Sequence, residues 1–317
     1  MASAAQSDKT STTNDDKKHP PLFAMWLSLY QSTPKVRVVA GQDIGFLIAC
    51  VAFLWTVRVC LFQILINVFH WPSDHTNTHE AAACATGIVH SLNLVPNLWY
   101  LLRNTGGKIP YSPSAPIKAY PRWWQQGVDA MMQLCCAHMV HDALFGVLLL
   151  RYDVATRTLN LTDMDPIYLA HHVVTFAFMM SNLLYGAGQT AGITCMFLGE
   201  FTNPVFNGNT VGQLSLGLGD SDCCGGPVAD AIRSGLTLVN AILFVPMRGF
   251  FMPAFALWIT ISFFGSSDGQ KMNIVLRLVW TILMWGIVVG SLPFVPNEWD
   301  LIVQHFTGSD GEGGAEL

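Results

Sequence analysis

Long apolar segments constrain this chain more than any other feature of its sequence. Because a helix needs about 20 mostly apolar residues to cross the hydrocarbon layer, each such segment is a candidate membrane helix. Only 12% of the 317 residues are charged, against about 25% in soluble domains. The sequence therefore predicts an all-α integral membrane protein with about seven transmembrane helices, at 44–69, 81–102, 126–150, 166–186, 190–207, 232–264 and 274–294.

The regions outside these segments are polar or rich in glycine and proline. The sequence predicts a disordered N-terminal tail with an interfacial segment over 1–43, followed by the first transmembrane helix and a loop over 44–79. The glycine-rich stretch 208–231 is predicted to be a mobile loop, and 296–317 an acidic C-terminal tail. These predictions leave the apolar segments after residue 80 as the main folded unit.

Charge distribution limits the partners and the orientation. The net charge of −5 provides no basic surface for nucleic acid. Most lysines and arginines outside the segments fall on the side of the N-terminus if there are seven spans, so the positive-inside rule places the N-terminus in the cytosol. The eight cysteines show neither a disulfide framework nor a metal-binding CxxC motif.

Ionisable and amide side chains inside the predicted spans are the candidates for function. A charge at membrane depth costs roughly 2.5–3.5 kcal/mol or more, so these side chains usually face a bundle interior and mark function. The candidate catalytic residues are His171, His172 and Glu200. The candidate substrate-binding residues are His90, His138, His141, Asp142, Asn203, Asn207 and Arg248.

Helical spacing groups these side chains further. The two histidines and the aspartate of HMVHD (138–142) are spaced i, i+3, i+4 and would project from one face of a helix. Glu200, Asn203 and Asn207 would likewise form one stripe if 190–207 is a continuous helix. Such stripes are expected to meet around a water-filled or headgroup-sized cavity.

Prolines lie beside two of the charges. Pro204 has no N–H, so in a continuous helix the carbonyl of Glu200 would lose its partner and become a free acceptor beside the Glu200 carboxyl group. Pro246 and Pro253 are expected to kink the long sixth span on either side of Arg248. Kinks around a charge suit the wall of a cavity.

Several interpretations of these residues stay open at this point. A buried histidine beside a carboxylate is suited to general-base catalysis, and the proton could come from an amine or a hydroxyl group. Alternatively His138, His141, Asp142 and His171 could bind a metal if their helices adjoin, although HxxH chelates poorly on a helix. The imidazole of His90 could simply make a helix contact, and Arg248 could extend to the membrane interface.

Four motifs in order give the chain a family resemblance. HDALFG (141–146), DPIYLAHHVVTF (165–176), GEFTNPVFN (199–207) and FVPMRGFFMP (244–253) resemble the TLC-domain family. This family includes the ceramide synthases, the translocation-associated TRAM proteins and TLC domain-containing proteins of obscure function. The resemblance covers roughly 80–295 and places the first span outside the domain.

The resemblance implies six helices in a barrel-like bundle around a lipid cavity. In ceramide synthases paired histidines are catalytic and two aspartates follow on the next span. His171 and His172 match the pair, but the following stretch holds Glu200 and no aspartate. The sequence therefore resembles the non-synthase branch of the family more closely.

The expected function follows from these observations. We expect a multi-pass protein of the endoplasmic reticulum or another secretory-pathway membrane that acts on or binds lipids in membrane lipid homeostasis. The alternatives are a sphingoid-base N-acyltransferase and a non-catalytic lipid sensor or carrier. No cofactor and no metal is expected, acyl-CoA would be a co-substrate only of the acyltransferase, and membrane lipids are the expected partners. In an enzyme, His171 or His172 would be the general base, Glu200 would hold its tautomer, and Asp142 and Arg248 would position a headgroup.

Overall fold

The computed structural model describes residues 18–37, 43–105, 112–163, 165–218 and 226–307. Its first half begins with α1 (Pro21–Ser32), α2 (Gly45–Asn67) and α3 (Thr76–Arg103). A 3₁₀ turn (Ile117–Ala119) precedes α4 (Arg122–His141), which continues through a π-helical segment (Asp142–Leu148) into α5 (Leu149–Arg151). A short antiparallel hairpin follows, with strands β1 (Tyr152–Asp153) and β2 (Thr158–Leu159).

The second half is also helical. It begins with α6 (Asp165–Tyr185), α7 (Gln189–Glu200) and α8 (Asn203–Leu216). Next, α9 (Pro227–Pro246) continues through a second π-helical segment (Met247–Phe251) into α10 (Met252–Gly265). The chain then forms α11 (Ser267–Lys271), α12 (Ile274–Ser291) and α13 (Phe294–Thr307).

The described residues contain five helical stretches long and apolar enough to cross a membrane. They are 45–67, 122–151, 165–185, 227–265 and 274–307. The predicted all-α membrane character is therefore confirmed, whereas the number of seven spans and the barrel-like arrangement stay predictions. The predicted second span lies in α3, which is 28 residues long but carries buried polar residues such as His90 and Asn97.

The predicted fifth span, 190–207, is not one helix. Helix α7 ends at Glu200, and α8 begins at Asn203 with Pro204 in its first turn. Proline is well tolerated there because the first backbone N–H groups of a helix have no partner within it. The expectation that Pro204 frees a carbonyl within a continuous helix is therefore wrong.

Helix α4 lies at the centre of the packing. Fifteen of its 20 residues are buried, including Trp124, Met131 and Met132. Its neighbours are α1, α2, α3, α6 and α7. A helix buried on all sides must accommodate its polar residues internally, which brings His138 and His141 into the interior.

The terminal regions are more ordered than the sequence predicts. Within 1–43, α1 packs Phe23, Trp26 and Tyr30 against the core, while 1–17 and 38–42 lie outside the described residues. Within the predicted mobile loop 208–231, α8 extends to Leu216 and α9 begins at Pro227, and 219–225 is not described. The C-terminal segment 296–317 is helical to Thr307, and 308–317 lies outside the described part.

Candidate functional site

Two π-helical segments each carry a charged residue of the site. Asp142 is the first residue of the segment after α4, and Arg248 is the second residue of the segment after α9. A π-turn holds one extra residue and is frequent at functional sites. The backbone N–H of Asp142 still donates to the carbonyl oxygen of His138, so Asp142 stays on the same helical face as His138.

His172 is held on both sides by the protein. Its Nδ1 lies 2.8 Å from the backbone oxygen of Tyr168, and its Nε2 lies 3.3 Å from Oδ2 of Asp142. The hydroxyl group of Tyr168 donates to the same Oδ2 atom. All three side chains therefore form one compact cluster between α6 and the π-helical segment.

Both partners of His172 are hydrogen-bond acceptors. Its Nδ1 is bonded to the backbone oxygen of Tyr168, and its Nε2 lies beside the carboxyl group of Asp142. Both ring nitrogens are therefore directed at protein groups, and His172 is not among the residues that line the pocket described below.

Glu200 is the centre of a second cluster. Its Oε2 accepts from Ser91 Oγ at 2.7 Å and from Asn203 Nδ2 at 3.0 Å, and it lies 3.6 Å from His90 Nδ1. Although α7 ends at Glu200, Asn203 still reaches its carboxyl group from the start of α8. The contacts of Glu200 come from α3 and α8, so it does not orient either residue of the histidine pair.

His138 lies between the two clusters. Its ring stacks on that of His90 with the centroids 4.1 Å apart. Within the described part of the chain, His138 Nδ1 and both nitrogens of His90 are buried without a hydrogen-bond partner. The stack therefore joins the Glu200 cluster to the helix that carries Asp142.

Arg248 is directed into the protein. Its Nη2 donates to the backbone oxygen of Gly199 at 2.7 Å, and its Nη1 donates to Ser291 Oγ at 3.3 Å. Asn203 Oδ1 is 3.5 Å from Nη2 and links the arginine to the Glu200 cluster. These contacts disfavour the alternative in which Arg248 extends to the membrane interface.

A pocket opens beside these clusters, with about 640 Å³ of empty volume including its mouth. The polar side chains at its wall are His171, Thr175, Glu200, Asn203 and Arg248. Most of the remaining wall is apolar, from Phe178, Met179, Leu198, Met252, Phe255, Met284, Ile287 and Val288. The pocket is thus apolar with one group of polar residues.

The two adjacent histidines differ in environment. His171 lines the pocket and is exposed, whereas His172 is buried. Their rings are perpendicular with centroids 5.7 Å apart. Among the described residues His171 has no hydrogen-bond partner, so its ring is available to a ligand.

Comparison with known protein families matches residues 19–293 to the TLC domain. The chain belongs to the TLC-domain family. The match begins at residue 19 rather than near 80, so α1 and α2 fall inside it. No curated protein matches the chain.

The TLC domain brings most of the predicted site residues together. His171, Glu200, Asn203 and Arg248 line the pocket. His90, His138, Asp142 and His172 form the buried network beside it. Asp142, expected to position a headgroup, instead contacts His172, since it projects from the π-helical turn that faces α6.

Two predicted site residues lie outside the pocket wall. Asn207 packs against α3, where a Cβ atom at Gly87 would lie 2.6 Å from its Nδ2. His141 is fully buried beside Phe145, with ring centroids 5.4 Å apart. The break between α7 and α8 turns Asn207 away from the stripe that a continuous helix would form.

The sequence analysis missed three polar residues that contact this TLC-domain site. Ser91 directly follows His90 and donates to Glu200, and Ser291 accepts from Arg248. Arg58 is buried on α2 near Asp142. The sequence does single out Arg58, because it is the only charged residue in 44–69. Among the described residues no group of three or more His, Cys, Asp or Glu side chains could hold a metal.

Proposed function

We propose that this TLC-domain protein binds a membrane lipid in the pocket and acts in membrane lipid homeostasis. The observation that carries the proposal is the pocket itself, whose apolar walls end at His171, Glu200 and Arg248. Four of the five candidate spans contribute to its wall. A mostly apolar wall with a few converging polar groups is typical of sites that bind small molecules.

The free polar atoms indicate what kind of headgroup the pocket accepts. Arg248 Nε and Thr175 Oγ1 are buried without partners in the described structure, and the His171 ring lines the pocket beside them. Oε2 of Glu200 is already engaged by Ser91 and Asn203. Because the arginine and threonine groups can donate, they suit a headgroup with carbonyl or other acceptor oxygens. The apolar wall suits an acyl chain.

Mass spectrometry of lipids that co-purify with the protein tests this proposal. Ala256 is buried at the pocket wall, and Ala254 is exposed on the same helix α10. Ala256→Phe should fill the pocket and reduce the bound lipid at least tenfold, while Ala254→Phe should leave it unchanged. Equal lipid content in both variants would show that the lipid sits elsewhere.

A sphingoid-base N-acyltransferase is the second candidate, and the free ring of His171 favours it. The amine nitrogen would form a bond to the acyl carbon of acyl-CoA as the carbon–sulfur bond breaks. His171 would accept the amine proton, and the thiolate would leave as CoA. His172 is less suited to this role, because its ring nitrogens are directed at Tyr168 and Asp142 and it does not line the pocket.

Turnover separates the two candidates. Purified protein given long-chain acyl-CoA and sphinganine should release free CoA if it is an acyltransferase. His171→Gln should then abolish the release, and His305→Gln should not, since His305 is exposed on α13. Bound lipid without CoA release would assign the pocket to a sensor or carrier.

A further inference from the structure

Arg58 is a buried cation in the most apolar helix of the molecule's first half. It lies near the middle of α2 and is 7% exposed. A charge at this depth is costly unless an opposite charge or a polar group compensates it. An acidic group is therefore expected near Arg58 to compensate its charge.

The direct contacts of Arg58 in the described structure include no acidic group. Its Nη2 donates to the backbone oxygen of His79 at 3.4 Å, which is long for a hydrogen bond. Its Nη1 is buried and has no hydrogen-bond partner in the described part of the protein. Glu80, an acidic residue on the facing helix, already pairs with Arg151 at 2.7 Å.

The space above Gly146 identifies the acidic partner. A Cβ atom at Gly146 would lie 2.5 Å from Asp142 Oδ1 and 3.9 Å from Arg58 Nη1. The Arg58 guanidinium thus faces the Asp142 carboxylate across the gap that glycine leaves open. Oδ2 of Asp142 is occupied by Tyr168 and His172, so Oδ1 is the oxygen left for Arg58.

We propose that Arg58 is a positioning residue of the pocket, acting through Asp142 on the histidine pair. Both groups are buried, and charges interact more strongly where the local dielectric constant is low. Arg58 stabilises Asp142 as a carboxylate, Asp142 holds His172, and the adjacent His171 is thereby presented to the pocket. This inference rests on the proposed lipid pocket, and it makes α2 part of the functional unit.

A double-mutant cycle tests the pairing without reference to lipid. Arg58→Gln and Asp142→Asn should each lower the Tm of the purified protein, since each leaves the other group uncompensated. The double variant should lose much less than the two losses combined. Additive losses would overturn the pairing. If Arg58→Gln fails to fold, recovery of folded protein in the double variant supports the proposal, and no recovery overturns it.

Charge rescue tests the positioning role. Arg58→Gln should reduce co-purified lipid severalfold, and Arg58→Lys should restore most of it because the positive charge returns. Arg277→Gln is the matched control, because Arg277 is partly buried and donates to the Phe263 backbone oxygen. Equal lipid loss in Arg58→Lys and Arg58→Gln would reject the role of the charge. Absence of lipid from the wild type would instead reject the pocket proposal. The Tm values of the double-mutant cycle would still test the pairing of Arg58 with Asp142.

Discussion

His171 and His172 have different surroundings because the side chains of adjacent helical residues point about 100° apart. His172 turns toward the π-helical segment and is fixed by Tyr168 and Asp142. His171 turns toward the pocket and stays free. The pair thus contains one ring held by protein groups and one ring available for chemistry or for ligand binding.

Substitution of each histidine should separate these tasks. We expect His172→Gln to lower Tm by several degrees, because loss of a hydrogen bond to a charged group costs about 1.5–3 kcal/mol. We expect His171→Gln to change Tm by less than about one degree, since few contacts are lost, while bound lipid falls. Thermal unfolding and lipid analysis of the same preparations measure both effects. A reversed order would contradict the assignment.

At the scale of single elements, α1 is a packed helix rather than part of a flexible tail. Its Trp26 is 4% exposed and donates to Asn93 on α3 at 3.2 Å. Tyr30 donates to Asp129 on α4 at 3.3 Å. Helix α1 therefore packs against two helices, α3 and α4, that carry residues of the site.

Truncation of a buried side chain of α1 should weaken the packing of this helix against the rest of the protein. We expect Trp26→Ala to destabilise the protein by about 3–5 kcal/mol, as for other large core truncations. Met25→Ala is the control, because the neighbouring Met25 is 46% exposed. The measurements are Tm and the rate of limited proteolysis after residue 32. Equal effects of the two variants would argue against the packed position.

The connection from α1 to α2 should be sensitive to acid. Burial raises the pKa of Asp43, but bonds from Lys35 and from the backbone amides of Gly45 and Val36 outweigh this effect and lower it. A carboxyl group with a lowered folded pKa stabilises the fold above its unfolded pKa, and this contribution is lost as the pH falls through the folded pKa.

The corresponding variant is Asp43→Asn. We expect it to lower Tm at pH 7 and to match the wild type more closely near pH 3, where the wild-type carboxyl group is also losing its charge. Asp300→Asn serves as the control, since Asp300 is exposed on α13. A Tm difference that does not shrink with acid would contradict this role of Asp43.

At the scale of the whole molecule, the helices give the protein two distinct ends. The backbone bond from Ile117 to Gly186 places the loop before α4 and the turn after α6 at one end, and α1 packs there beside Trp123. Arg151 pairs with Glu80 and Asp165 at the other end. Lys35, Lys118 and Arg122 lie at the α1 end, so the positive-inside rule predicts that this end faces the cytosol.

Labelling with a membrane-impermeant maleimide tests this orientation. In sealed microsomes with the cytosolic face outward, we expect Ser32→Cys to react without detergent. Val154→Cys, at the 78% exposed position of the hairpin, should react only after permeabilisation. The wild-type protein supplies the background from its own cysteines. Labelling of both positions in sealed vesicles would contradict the assignment.

The sequence predicts the helical membrane character because apolar length depends only on local composition. It also identifies the charged residues, since any ionisable group at membrane depth stands out. It does not predict the break at Phe201, the two π-turns or the partner of Glu200, because these depend on packing between distant helices. The proposed pairing of Arg58 with Asp142 cannot be predicted for the same reason, because Asp142 lies 84 residues further along the chain.

The two π-turns have a consequence for the path of the chain. A π-turn interrupts the regular bonding of an α-helix, and it is frequent at functional sites. Asp142–Leu148 and Met247–Phe251 both lie within candidate membrane spans. Two of the candidate spans therefore change their winding beside a charged residue, at the depth where the polar groups of the pocket meet its apolar wall.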